Sequence, residues 1–150
     1  MRTTNRYGFS LGEILTVIVI MGVIMMLALP KMGNMNDRNQ MRSAKDGIAA
    51  RLAAARAAAI ATGRQSYFYS AGDSIRVTAS NGTTQVDKGA VLNLKRNFGV
   101  SVTSAAFTIT FDGRGMTTGA GNKIYFGRNA LKDSICISPI GLINRHGCAQ

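Results

Sequence analysis

The feature that most constrains this chain is a run of apolar residues close to its N-terminus. From Ile14 to Leu29 no residue is charged, and across the 21 residues from Phe9 to Leu29 the sole charge is Glu13. At about 1.5 Å of rise per residue, a helix of this length crosses a hydrocarbon core of roughly 30 Å. Arg2 and Arg6 precede the run, and basic residues on that flank put the N-terminus in the cytoplasm and the remainder outside. A cleaved secretory signal has an apolar region of about 7–15 residues followed by a small-residue cleavage site. Here the run is longer and ends in Leu27-Ala28-Leu29-Pro30, where Pro30 would follow the scissile bond. A plain membrane anchor explains the length but not Glu13, because a carboxylate inside a membrane helix costs about 2.5–3.5 kcal/mol. Glu13 is also the only glutamate in the chain.

The rest of the composition narrows the function classes. A length of 150 residues suits one domain, and 46% hydrophobic against 17% charged residues excludes a wholly disordered chain. Two cysteines and one histidine cannot make a tetrahedral all-Cys/His zinc site, and no cofactor or metal is expected. His146 has no acidic neighbour in sequence and no nucleophile signature beside it. The six aspartates are scattered, and the Gly113-Arg-Gly115 and Gly119-Ala-Gly121 strings open no helical pattern, so a phosphate-cradling loop is not expected. The chain reads as a non-enzyme. Its formal charge of +11 points to an acidic partner, a membrane surface or a topological signal.

The string Gly8-Phe9-Ser10-Leu11-Gly12-Glu13 resembles the cleavage motif of type IV prepilins and type II secretion pseudopilins. The resemblance implies that residues 1–8 are a basic leader, that a prepilin peptidase cuts between Gly8 and Phe9, and that the new N-terminal Phe9 is methylated. Glu13 is then the fifth mature residue and Pro30 the twenty-second, both positions the family marks. In filaments of that family the glutamate of one subunit faces the N-terminal ammonium of a neighbour. Two charges that pair only in the correct stagger specify register. Glu13 and Pro30 are therefore expected assembly residues, and Pro30, which lacks an N–H, is expected to kink or locally melt the helix.

Beyond Pro30 the pattern stays helical. Met41, Ala44, Ile48, Leu52, Ala55 and Ala59 recur at spacings of three and four and make one apolar stripe, with Arg38, Arg42, Lys45, Arg51 and Arg56 mostly off it. These five basic residues are expected on a solvated face, and Gly63 is expected as the C-cap. The expected helix runs from Phe9 to about Thr62: a transmembrane and assembly segment over 9–30 and an amphipathic continuation over 31–62. Over 63–150 the period changes to two. Short runs rich in β-branched and aromatic residues (65–70, 74–79, 83–86, 99–103, 105–111, 122–126 and 133–138) alternate with turn signals at Gly72-Asp73, Asn81-Gly82, Asp112-Gly113 and Gly119 to Asn122. The expected class is α+β, a long N-terminal helix packed on an antiparallel sheet or small β-sandwich head, type IV pilin-like in outline.

The second half carries a further resemblance. Phe107 to Arg114, Lys123 to Phe126 and Ser134 to Gly141 are similar to the C-terminal half of GspH/FimT-type minor pseudopilins, which tend to show a Phe-x-x-x-Gly-Arg turn and later a strand ending in Ser-Pro-x-Gly. The resemblance implies a minor pilin or pseudopilin anchored in the inner membrane by a single pass, its head periplasmic, whose partners are other pilin subunits and the peptidase. In a compartment where disulfides form, Cys136 and Cys148 are expected to bridge, with Cys136 facing opposite to Ile135 and Ile137. Losing the leader leaves 16 basic residues against seven acidic. Some relatives of this type bind DNA through a basic Gly-Arg-x-Arg element. Here the equivalent stretch, Gly141 to Arg145, keeps only the glycine. Arg114, Arg128, Lys132 and Arg145 remain candidate phosphate contacts. DNA capture, or a role as a single-span exported binding protein, is the alternative function.

Overall fold

The computed structural model describes residues 10–118 and 122–148, without the side chains of residues 27–32 and 34. Gly8, Phe9, the leader and the first three residues of the Gly119 to Asn122 turn signal lie outside the described residues. The chain divides into two compact units between Asn36 and Asp37.

The first unit is the opening part of helix α1, Leu11–Thr62. Every described side chain from Leu11 to Met26 is exposed, as expected of a helix that is apolar all round. Among the described residues, no helix is long and apolar enough to cross a membrane. The expected span over 9–30 starts before them and takes in positions 27–30, whose side chains lie outside them. The backbone of α1 is helical through Pro30, so of the kink or local melting expected there, the melting does not occur. The proline leaves the helix one N–H donor short at that point.

The second unit is the head. Among the described residues its nine strands all pair antiparallel. One sheet has the order β3-β2-β1-β6, with β4 also on β2: β1 is Ser66–Ala71, β2 Ser74–Ser80, β3 Gln85–Asp87, β4 Leu92–Asn93 and β6 Phe107–Phe111. The other runs β5-β7-β8-β9, from Ser101–Val102, Asn122–Arg128, Leu131–Ile137 and Ile143–Asn144. Of the two expected arrangements, the chain adopts two small sheets. The stripe of α1 read from the sequence, Met41 to Ala59, is buried at all six positions, and Ala49 joins it. It closes one core with Phe68, Phe111, Phe126 and the inward isoleucines of β6, β7 and β8.

Gly63 ends α1 at φ +62°, with its N–H donated to the Ile60 carbonyl (3.3 Å) and the Arg64 N–H to the Ala59 carbonyl (3.2 Å). This is the paired bonding of a Schellman cap. The pattern missed β4, β9 and a short helix, α2, Leu94–Phe98. A two-residue strand has no alternation to read. The ends of α2 do carry signals: Asn93 accepts the Arg96 N–H through Oδ1 at 2.8 Å, and Gly99 closes the helix at φ +63°.

Candidate functional site

Three sets of residues bear on function. The first is the start of α1. The Ser10 N–H donates to Glu13 Oε2 (3.4 Å), and the Glu13 N–H donates to Ser10 Oγ (3.3 Å). This reciprocal pair is a capping box, which satisfies helix donors that otherwise lack partners. Glu13 therefore has a local partner in the single chain. It also borders a shallow apolar hollow of about 360 Å³ shared with Ile14, Val17 and Ile18.

The second set is the pair of glycine motifs. Asp112 Oδ1 accepts the N–H groups of Arg114 (3.0 Å) and Met116 (2.8 Å), folding residues 112–116 into a tight turn. A Cβ on Gly113 would run into the Gly63 carbonyl at the end of α1, so only glycine allows that approach. Arg56 then ties two segments to the helix. Its Nε donates to the Gly115 carbonyl (3.0 Å) and its Nη2 to the Ile140 carbonyl (3.4 Å). Thr117 joins the same segments directly: its N–H donates to the Pro139 carbonyl at 2.9 Å and its hydroxyl to the Ser138 carbonyl at 3.1 Å. The Gly-Arg turn and the Ser-Pro-Ile-Gly loop thus lie against one another and against α1. Arg56 was expected on a solvated face and is instead the clamp between them.

Cys136 and Cys148 form a disulfide, with Cα atoms 5.4 Å apart. Ile135 and Ile137 are buried and Cys136 is only partly so, the opposite-face arrangement read from alternation. A closed loop of this length contributes roughly 3 kcal/mol in the chain-entropy account.

The third set is the four candidate phosphate contacts. Arg128 is committed elsewhere: its Nε donates to Asp37 Oδ1 (2.8 Å) and its Nη1 to the Phe98 carbonyl. Arg145 pairs with Asp46 at 3.0 Å, both side chains mostly exposed, a contact worth little. Arg114 and Lys132 are exposed. Asp37, which holds Arg128, and Arg56, beside the Arg114 turn, are 19 residues apart on α1, roughly 28 Å of helix. The four are strung along the head and do not form one cluster.

Asp37 accepts from Arg128 and also from Asn129 Nδ2 (2.7 Å). The Arg128 hydrogen bond, then that of Asn129, hold its carboxyl below the ordinary value of 3.8. A depressed carboxylate pKa stabilises the fold above the unfolded value, and that contribution is lost as pH falls through the folded one. The Asp37→Asn variant is therefore expected to be less stable than wild type near neutrality. Its melting temperature should fall less steeply than that of wild type on acidification below 3.8. Thermal unfolding across that range reads both; parallel curves would show that the pair contributes nothing.

Comparison with known proteins bears on the whole arrangement. The family model described as "Type II transport protein GspH" matches residues 44–141, from the buried stripe of α1 to the glycine beside Arg56. The chain belongs to the GspH family. Its fold is also that of the Pseudomonas aeruginosa PAO1 type IV minor pilin FimU, whose crystal structure aligns with a TM-score of 0.57 at 19% identity, covering 73% of this chain and 90% of FimU. No curated protein matches the sequence. The matched residues include both the turn and the loop that Arg56 and Thr117 join.

Proposed function

We propose that this GspH-family protein is a minor pilin or pseudopilin subunit. It inserts in the inner membrane with its N-terminus cytoplasmic and its head periplasmic, is cut after Gly8, methylated at Phe9, and joins or primes a type IV pilus or type II secretion pseudopilus through α1. The observation that carries this reading is the combination of a GspH-family head with a helix whose described side chains are exposed and apolar on every side from Ile14 to Met26. Such a surface needs a lipid or a bundle of like helices to cover it. The family match begins at residue 44, so the cleavage site rests on the Gly8-Phe9 motif and the spacing of Glu13. The part played in assembly is structural: α1 supplies the packing surface and the head meets other minor subunits.

Processing is the direct test. Protein from the native host is expected to give a mass for a chain that begins at methylated Phe9. Gly8→Val should leave the leader attached, because a peptidase gripping the backbone closely would meet a branched side chain. A chain that begins at Met1, or one cut after Ala28, overturns the proposal. A salt-dependent shift of DNA by the intact protein would move the reading toward DNA capture.

A further inference from the structure

Arg38, Arg42 and Lys132 rim a hollow of about 180 Å³ whose other walls are Met41, Leu131 and Asp133. All three cations are exposed, and among the described residues none has an acidic partner or a side-chain hydrogen bond. The one carboxylate present, Asp133, is already used. Lys45 Nζ donates to its Oδ2 at 2.7 Å, and the Ser134 N–H donates to its Oδ1 at 2.7 Å. Four cations thus surround one anion. Arg38 and Arg42 are four apart on α1, where like charges repel and destabilise a helix. The floor is apolar: Met41 is buried in the core, and Leu131 packs against it.

We infer that this corner of the head holds the phosphate of an anionic phospholipid while the subunit is still in the membrane. The inference rests on the membrane reading of α1. Three unpaired cations suit a phosphate, which Arg and Lys contact with charge-assisted hydrogen bonds. The apolar floor suits the glycerol and first methylenes of a lipid, which a bare phosphate lacks. Connectivity supplies the source. Arg38 and Arg42 follow Leu29, the last residue of the uncharged run, by nine and thirteen residues. Nine residues span at most about 30 Å by any path, so a bilayer holding the run stays close to the site. Nucleic acid has no such tether, and the remaining candidate phosphate contacts are dispersed along the head.

The test uses the full chain in nanodiscs of phosphatidylcholine mixed with phosphatidylglycerol, with retained lipids counted by native mass spectrometry after mild extraction. Wild type is expected to keep phosphatidylglycerol in clear excess. Each cation beside an anionic surface contributes about fivefold, so the triple variant Arg38→Gln, Arg42→Gln, Lys132→Gln should bring the ratio close to that of the mixture. A variant with the same charge loss elsewhere, Lys88→Gln, Lys95→Gln, Lys123→Gln, should retain the preference, and circular dichroism checks that both heads are folded. Equal retention by wild type and the first variant overturns the inference, as does equal loss in both variants, which would show net charge alone. Displacement of the lipid by inorganic phosphate in proportion to charge shows a generic anion site and also overturns it. So does an oligonucleotide that binds wild type and not the first variant, with lipid retention unchanged. A chain recovered outside the discs overturns the membrane reading and the contact with it; a chain in the discs without lipid preference overturns the contact alone.

Discussion

Replacing Glu13 by leucine is expected to stop this subunit from joining filaments while leaving insertion, cleavage after Gly8 and the head intact. On the proposed reading, the carboxylate's partner is the ammonium that cleavage would create at Phe9 of a neighbouring subunit. Removing one partner of a buried ion pair costs about 3–5 kcal/mol. At about 1.4 kcal/mol per factor of ten, docking falls at least a hundredfold. The structure adds a competing role, because Glu13 also closes a capping box with Ser10. Glutamine separates the two. A capping box accepts Glu or Gln at that position, so Glu13→Gln keeps the cap and loses only the charge. If pairing with the ammonium is what matters, Gln and Leu should both fail in co-purification with other subunits. If Gln assembles normally and Leu does not, the carboxylate serves the helix start and the assembly role is refuted. Accumulation of uncut chain in either variant would move Glu13 to peptidase recognition.

What the sequence revealed follows from how far each interaction reaches along the chain. The stripe from Met41 to Ala59 was readable because one buried face repeats every turn, and all six positions are in the core. The strands through Ile109 and Ile135 were readable because alternation marks a sheet with one covered face. The cap at Gly63 is a local signal. The clamp was not readable, because Arg56 bonds to backbone carbonyls of Gly115 and Ile140, 59 and 84 residues away. A carbonyl leaves no mark on residue type. The pairing of Arg128 with Asp37 is hidden for the same reason, across 91 residues. It turns a candidate phosphate contact into a tie between α1 and the β7–β8 hairpin. The Ser10-to-Glu13 spacing is itself a capping-box signature, which the charge of Glu13 masks.

Gly141→Ala is expected to be the most damaging small substitution in the head. Gly141 sits at φ +76°, where an alanine pays about 1–2 kcal/mol. Its Cβ would also overlap the Gly115 carbonyl and approach Arg56 Nε to 3.0 Å. The Gly115 carbonyl is backbone, so relief requires the loop to move off the turn. That movement threatens the Arg56 bonds to Gly115 and Ile140, and hydrogen bonds to charged groups are worth about 1.5–3 kcal/mol each. A loss of about 3–5 kcal/mol takes much of the 5–15 kcal/mol by which a typical domain is stable. The melting temperature should fall by at least about 10 °C. Gly72→Ala is the control: its φ is +58° but nothing lies within 4 Å of the added Cβ. It should cost only the backbone strain, about 1–2 kcal/mol. Arg56→Lys keeps the charge but lacks the fork that reaches two carbonyls, and should fall between the two. Thermal unfolding of the three variants in the full chain orders them. If Gly141→Ala melts no lower than Gly72→Ala, the loop yields freely, and the junction of turn, loop and α1 does not hold the head together.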